Sequence, residues 1–181
     1  MKAVFLGGSR RLSRLNTAIR DRLDKIMARG LTIYIGDANG ADKAMQRYLA
    51  DAHYSRVIVF AVSAHLRNNL GNWEVQLVTP PSRAKGAEIF AAKDRVMGER
   101  ATAGLMLWDG KSRGTLANIH ALLADGKPVA LYYAPKRRFL SLRTCDDLRR
   151  RFPVARTGSR PRAARVQHAL ALDHGRPGNA A

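Results

Sequence analysis

Residues 104–123 read GLMLWDGKSRGTLANIHALL, and this stretch predicts a β-strand, a loop and an α-helix in direct succession. The strand is a short apolar run that breaks at Asp109-Gly110, a pair typical of turns. Beyond Gly114 the apolar residues return at the spacing of one helix face. These residues are Leu116, Ile119, Leu122 and Leu123.

The loop between this strand and this helix is a candidate phosphate-binding site. The start of a helix leaves main-chain N–H groups without partners and lies at the positive end of the helix dipole, so it favours an anion. Lys111 and Arg113 add positive charge to the loop. We therefore expect ligand contacts from its other polar residues and its glycines, which are Asp109, Gly110, Ser112, Gly114 and Thr115.

Strands and helices alternate along the rest of the chain. Apolar runs lie at residues 3–6, 31–35, 57–60 and 129–133, and amphipathic helices separate them. Continuous apolar strands joined by helices predict a Rossmann-like three-layer α/β fold with a mainly parallel sheet of about five strands. Residues 63–86 show no regular pattern, and we interpret them as a long ordered loop of the kind that carries function.

Four loops follow predicted strands, at residues 7–11, 36–42, 63–71 and 108–115. In a parallel α/β sheet these loops all reach the carboxyl edge, where ligands bind. Arg10 is suited to clamp a phosphate with two hydrogen bonds. The other residues expected to contact a ligand in the first three loops are Gly7, Gly8, Ser9, Gly36, Asp37, Asn39, Gly40, Asp42, Arg67 and Asn68.

Four carboxylates near this edge each have two interpretations. Asp42, close to a helix start, is suited to orient a ribose or to hold Mg²⁺, but an aspartate there also stabilises the helix dipole. Asp37 either faces the ligand or favours the glycine turn. Asp94 and Glu88 lie on the helix after the long loop, and with Asp37 they are the candidate catalytic residues. Ordinary surface charge is the alternative for Asp94 and Glu88.

The composition is strongly basic. The 181 residues include 32 Lys+Arg against 14 Asp+Glu, a formal net charge of +18. Such a charge favours polyanions, including nucleic acid, although a basic protein without a dedicated polyanion partner is the alternative. The single cysteine, Cys145, excludes an internal disulfide framework and a multi-cysteine metal site, and His53 and His65 lack metal-ligand spacing with any partner.

We predict a Rossmann-like domain over residues 1–135, a short helical extension over 136–155 and a basic, disordered tail over 156–181. The predicted helix of the extension carries Leu140, Leu142, Leu148 and Phe152, with Thr144 and Asp147 approximating a capping box. The tail is either a nucleic-acid arm or a linker without a role. No apolar run suits a signal peptide or a membrane span, so we expect a cytoplasmic protein without membrane contact, with a homo-oligomer left open.

Three segments, taken together, resemble a known superfamily. They are Gly7-Gly8-Ser9-Arg10, residues 36–42 (GDANGAD) and residues 108–115 (WDGKSRGT). Their order and spacing resemble the SLOG superfamily of Rossmann-like proteins, which includes LOG-type phosphoribohydrolases and the DNA-uptake protein DprA. Residues 67–69 and 93–97 resemble a bacterial branch of that superfamily, and the resemblance covers roughly residues 2–133.

The resemblance implies that the protein binds a nucleotide or a nucleotide-derived ligand. It implies phosphates across residues 7–10, 36–40 and 110–115, and a ribose at Asp42 or Asn118. LOG-type enzymes carry Gly-Thr-x-x-Glu, and alignment on Gly114-Thr115 puts Asn118 at the position of the glutamate that acts on the sugar. An amide can hydrogen-bond a ribose hydroxyl, but it cannot act as a base or a nucleophile.

Two functions therefore follow from the resemblance. One is nucleotide binding, with N-glycosidic hydrolysis only if Asp37, Asp94 or Glu88 supplies the carboxylate. The alternative is DprA-like nucleic-acid binding, in which the basic C-terminal tail provides affinity through phosphates.

Overall fold

The structure, a computed structural model, describes residues 2–62 and 66–153. The strands in these residues are β1 Ala3–Gly8, β2 Thr32–Gly36, β3 Val57–Ala61, β4 Glu74–Leu77, β5 Ala103–Trp108, β6 Val129–Tyr133 and β7 Arg138–Leu142. The helices are α1 Thr17–Ala28, α2 Ala41–Asp51, α3 Ala87–Arg100, α4 Arg113–Ala124 and α5 Cys145–Arg151. The tail predicted over residues 156–181 lies outside the described residues.

The strands form one sheet in the order β4-β3-β2-β1-β5-β6-β7. Neighbouring strands are parallel except β7, which runs antiparallel to β6. From β1 the chain builds outward through β2, β3 and β4, and then returns to place β5 on the other side of β1. The direction of winding thus reverses between β1 and β5, and the predicted Rossmann-like fold is confirmed.

The sheet is covered on both faces, which makes the fold three layers deep. In β1, Leu6 packs in a core cluster with Leu23 of α1, whereas its neighbour Phe5 packs in a second cluster with Ile119 of α4. Successive residues of a strand point to opposite faces, so a strand buried on both faces needs apolar residues at every position. This is why the strands are visible in the sequence as unbroken apolar runs.

Two strands differ from the prediction. β4 lies inside the segment predicted to be an irregular loop, and it is a four-residue edge strand. Leu140 and Leu142, predicted to lie on a helix, are instead the buried positions of β7. Their spacing of two is the strand period, and pairing with β6 satisfies the main chain of this segment. Only the part that follows is helical: Thr144 and Asp147 form the predicted capping box at the start of α5.

None of the helices in the described part of the chain combines the length and the apolar character needed to cross a bilayer.

Gly8 ends β1 at a point where a side chain has no room. A Cβ there would lie 2.6 Å from the carbonyl oxygen of Leu107 and 2.8 Å from Cβ of Ala41. We expect Gly8→Ala to lower the free energy of unfolding by about 1–3 kcal/mol, because the main chain must shift to accept the methyl group. Urea unfolding of the purified variant measures this loss.

Gly98→Ala in α3 is the matched control, since a Cβ there meets no described atom within 4 Å outside its own helix backbone. Alanine in place of a helical glycine should raise stability by up to about 1 kcal/mol. Equal stability of the two variants would contradict the tight packing at Gly8.

Candidate functional site

A cleft of about 410 Å³ opens at the carboxyl edge of the sheet. It is lined by the loop after β1, the first turn of α2, the first half of α3, the loop after β5 and the first turns of α4. It therefore lies at the point where the winding of the sheet reverses, which leaves a crevice because the adjoining connections run to opposite faces. Its volume is in the range of sites that bind small molecules.

Four polar side chains from three helices form the floor of the cleft: Asp42, Lys93, Asp94 and Asn118, which we call the floor cluster. Asp42 and Lys93 are only 6% and 3% exposed. Lys93 Nζ donates a hydrogen bond of 2.8 Å to Asp94 Oδ1, and Asn118 Nδ2 donates one of 2.9 Å to Asp94 Oδ2. Asp94 is thus held on both oxygens, which fixes α3 against α4.

Burial and charge shift the pKa values of the floor cluster. Burial raises the pKa of Asp42 to about 7, although the neighbouring Lys93 ammonium favours the carboxylate. Burial also disfavours the charged form of Lys93, but the carboxylates of Asp94 and Asp42 outweigh it, so the pKa of Lys93 is raised. The floor therefore contains a stable ammonium and, at Asp42, a carboxyl group that can exchange its proton near neutral pH.

The floor cluster does not fit Mg²⁺. A divalent cation at Asp42 would lie against the ammonium of Lys93, which already supplies the positive charge of this site. Within residues 2–62 and 66–153, no three His, Cys, Asp or Glu side chains converge in a way that suits a metal ion.

The mouth of the cleft carries exposed positive charge. Arg10, Arg11 and Lys111 are exposed and line it, each from a loop that follows a strand. Phe90 of α3 is 38% exposed and forms one wall, with the guanidinium of Arg67 at 4.9 Å and that of Arg10 at 5.9 Å from its ring centroid. The mouth thus offers an aromatic face and several cations to the same ligand.

Asp109 engages part of the loop in which we predicted phosphate contacts. Its carboxylate accepts hydrogen bonds from the N–H groups of Lys111 at 3.0 Å and Ser112 at 2.7 Å, and from the Ser9 hydroxyl at 2.9 Å. Burial would raise the pKa of Asp109, but these donors outweigh it and the net pKa is lowered. Asp109 is therefore an anion that already occupies the first amides of the loop.

The first turn of α4 keeps other donors available. Ser112 caps the helix, its hydroxyl accepting from the N–H of Thr115 at 3.3 Å. Among the described residues, the N–H groups of Arg113 and Gly114 have no acceptor, as expected within the first turn of a helix. Gly114 lines the cleft, and a Cβ there would meet no described atom within 4 Å. These two amides are the donors that α4 presents to an anion.

Asp37 joins two loops beside the cleft. Its carboxylate accepts from Arg67 Nε at 2.9 Å and Nη2 at 2.6 Å, and Asp37 is only 2% exposed. Burial would raise the pKa of Asp37, but the hydrogen bonds and charge of Arg67 lower it further than burial raises it. Asn68 adds to this connection by donating to the Asp37 carbonyl at 2.7 Å and to Asn39 Oδ1 at 3.0 Å.

The structure brings most of the predicted site residues to the cleft. Those that line it are Gly7, Gly8, Ser9, Arg10, Asp42, Arg67, Asp94, Asp109, Ser112, Gly114, Thr115 and Asn118. Seven others do not line it: Gly36, Asp37, Asn39, Gly40, Asn68, Glu88 and Gly110. Glu88 is exposed in the first turn of α3, and Gly36 leaves room for the floor cluster, because a Cβ there would collide with Lys93 and Asp42. Ligand contact by any of these residues stays a prediction.

Sequence reasoning missed several residues of the cleft, among them Phe90 and Lys93. A signal for them existed, because Phe90, Lys93 and Asp94 are spaced i, i+3 and i+4 and so share one helix face. An apolar ring beside a lysine and a carboxylate on that face marks a helix that meets a polar site.

Fold and site together define a Rossmann-like α/β protein with a polar cleft at the reversal point of its sheet. No protein-family model matches the chain, and no curated protein matches it. Among solved structures, the chain is similar to DNA processing protein A from Helicobacter pylori, described for its single-stranded DNA binding mode. The TM-score is 0.49 at 16% sequence identity, and the match covers 72% of this chain but only 64% of that one. A likeness at this level bears on neither the site nor the function of this chain.

Asp42 should make stability depend on pH. The native carboxyl keeps its proton up to about pH 7, whereas an aspartate in the unfolded chain loses it near about pH 4. Between these pH values the native state binds more protons than the unfolded state. The protonated Asp42 carboxyl therefore adds to the free energy of unfolding, fully below the lower pKa, and this contribution is lost as the pH rises through about 7. Asp42→Asn, which cannot titrate, should lack this loss.

Urea unfolding of the wild type and Asp42→Asn between about pH 4 and pH 8 measures the difference. We expect the stability of the wild type relative to the variant to fall across that range. A constant difference would show that Asp42 ionises at its ordinary pKa.

Proposed function

We propose that the cleft binds a nucleotide, with its phosphate at the mouth and its sugar at the floor cluster. The observation that carries this proposal is the arrangement of polar groups within one cleft: exposed cations lie at the mouth, and carboxyl, amide and ammonium groups that are buried or half-buried lie at the floor. A nucleotide has the matching division, with an anion at one end and hydroxyl groups next to it. The resemblance to the SLOG superfamily favours the same class of ligand.

The mouth suits a phosphate. Arg10 and Arg11 follow β1, and Lys111 follows β5, so cations approach the same space from two adjacent strands. The free amides of Arg113 and Gly114 add hydrogen-bond donors at the positive end of α4. An arginine beside main-chain donors binds a phosphate more strongly than either group does in isolation.

The floor and the wall suit the remaining parts of a nucleotide. Ribose hydroxyls donate and accept hydrogen bonds, and Asp42, Asp94 and Asn118 offer carboxyl and amide groups for both roles. Phe90 offers an exposed aromatic face to a base. Base–aromatic stacking accepts any base, so this wall favours nucleotides without selecting one.

N-glycosidic hydrolysis remains a narrower proposal for the same site. Asp94 is the predicted catalytic carboxylate that lines the cleft, but both of its oxygens already accept hydrogen bonds. Asp42, with a pKa of about 7, is the floor group suited to give or take a proton at neutral pH. Release of free base from bound nucleoside monophosphate, followed by chromatography, tests this step separately from binding.

A single strand of nucleic acid is the second candidate ligand. The observation that favours it is the charge of the chain ahead of the tail: residues 2–153 contain 27 of the 32 Lys+Arg and 13 of the 14 Asp+Glu. The positive excess therefore belongs to the domain itself as well as to the tail. A strand would present the same phosphate and base to the cleft as a free nucleotide does.

Gly114→Val tests the cleft as a ligand site. The valine side chain would enter the open space over the first turn of α4, and we expect it to weaken nucleotide binding at least tenfold, a loss of about 1.4 kcal/mol. Isothermal titration with AMP, ADP-ribose, NAD and a cyclic dinucleotide measures it. Ala121→Val is the control, because Ala121 is exposed on the same helix but does not line the cleft. Absence of wild-type binding across this panel would sink the proposal for free nucleotides.

Phe90→Ala tests the stacking wall. Removing the ring should cost about 1–3 kcal/mol of AMP binding, while binding of ribose 5-phosphate, which has no base, should stay unchanged. Phe90→Leu serves as the control, since it keeps an apolar cover but lacks the aromatic face. Equal losses for AMP and ribose 5-phosphate would mean that Phe90 positions Arg10 or Arg67 and does not contact the base.

A further inference from the structure

A second groove, of about 490 Å³, lies between the start of α1 and one side of α2. Four cations line it, and we call it the basic groove: Arg14, Arg20, Lys43 and Arg47. Asp51 is the acidic residue in its lining. Tyr48 forms part of the wall, with its hydroxyl bonded to Asp24 at 2.8 Å and the guanidinium of Arg20 at 5.9 Å from its ring centroid.

The charges of the basic groove are not explained by the stability of the fold. All four cations are exposed, and within residues 2–62 and 66–153 none of them forms an ion pair. Lys43 and Arg47 lie four residues apart on α2, so their like charges repel and weaken the helix. A partner with negative charge would offset this repulsion.

We propose that the basic groove binds the phosphate backbone of a nucleic-acid strand. The loop between β1 and α1 borders both sites: Arg10 and Arg11 lie at the mouth of the cleft, and Arg14, three residues further on, lies in the groove. Cations thus follow one another from the cleft into the groove. A single phosphate needs one site, whereas a series of cations over two adjoining sites fits a polymer of phosphates.

The shape of the groove favours a strand over a membrane surface. Its cations line a concavity, and none of the exposed large apolar residues of the described chain (Leu66, Leu77 and Phe90) lines it. Membrane-surface binding depends on apolar side chains that enter the lipid as well as on charge. This inference rests on the second candidate function, and it does not require the cleft to bind a free nucleotide.

The test compares two double variants of the full-length chain. Lys43→Gln with Arg47→Gln removes two charges from the groove. Lys25→Gln with Arg29→Gln is the matched control, because it removes an exposed lysine and arginine, also four residues apart, at the far end of α1. Both lower the net charge equally, and circular dichroism checks that each is folded. Arg14→Gln, in the loop before α1, tests the same groove without changing a helix.

Binding to a labelled single-stranded oligonucleotide and to a labelled duplex is measured by fluorescence anisotropy over a salt series. Binding to anionic vesicles is measured over the same salt series. For the single strand, each phosphate neutralised contributes about 0.7 to the slope of log affinity against log salt. The groove variant should therefore lose about 1.4 of that slope and at least tenfold in affinity at low salt. The control should keep the wild-type slope, and AMP titration at the cleft should be unchanged in both.

The outcomes distinguish failure of the basic-groove proposal from failure of nucleic-acid binding, the function on which that proposal rests. Equal losses in the two double variants would mean that the general field of the protein, and not the groove, attracts the strand. Preferential loss of vesicle binding would identify a membrane as the partner of the groove. If the wild type binds no oligonucleotide, both the groove and the second candidate function fail, while nucleotide binding at the cleft is judged by its own titration.

Discussion

The buried ammonium of Lys93 is the interaction on which the site depends. An ammonium removed from water costs several kcal/mol unless it is paired and hydrogen-bonded. Lys93 is 3% exposed, and Asp94 accepts its hydrogen bond at 2.8 Å. Asp42 approaches from another helix and adds a second carboxyl group. The Lys93 ammonium therefore interacts with carboxyl groups of both α2 and α3 at the carboxyl edge, and Asn118 links α4 to Asp94.

Other features of the site follow from the same requirement. Gly36 ends β2 without a side chain, and a Cβ at that position would collide with Lys93 and Asp42. Beside it, Gln46 donates to the Gly36 carbonyl at 2.8 Å and to the Asn68 carbonyl at 3.2 Å. The polar residues around the cleft are therefore divided between two tasks. Some line the space for a ligand, and others hold the loops that surround that space.

The sequence was informative wherever a single element carries its own signal. The strand, turn and helix of residues 104–123 could be predicted because an apolar run, turn residues and apolar residues at helical spacing lie within one short stretch. β4 and β7 could not, because a strand of four or five residues at a sheet edge has too short a pattern: β4 did not stand out from its irregular segment, and β7 was outweighed by the helical spacing nearby. β4 pairs with β3, from which a long segment separates it, and β7 pairs with β6 across an antiparallel turn.

The sequence predicts which loops border the site, but it does not predict which of their side chains face the cleft. Placing the loops after β1 and β5 at one edge needs only the topology, so Ser9, Arg10 and Gly114 could be assigned to the cleft. Whether a polar group faces a ligand or a neighbouring loop depends on tertiary contacts. Arg67 faces both Asp37 and the cleft, and Asp109 takes up amides that a glycine loop would otherwise leave free.

The hydrogen bonding beneath the cleft determines how a ligand is received. Gly8 pairs with Leu107, the Ser9 N–H donates to the Leu107 carbonyl at 2.9 Å, and the Ser9 hydroxyl donates to Asp109 at 2.9 Å. The strands β1 and β5 are thus joined up to the last residue before the space opens. A ligand cannot separate them to make room, so its receptor is rigid and preorganised at its base. Selection among ligands then depends on their shape complementarity to a fixed surface. The groups that can rearrange to fit a ligand are the long side chains at the mouth.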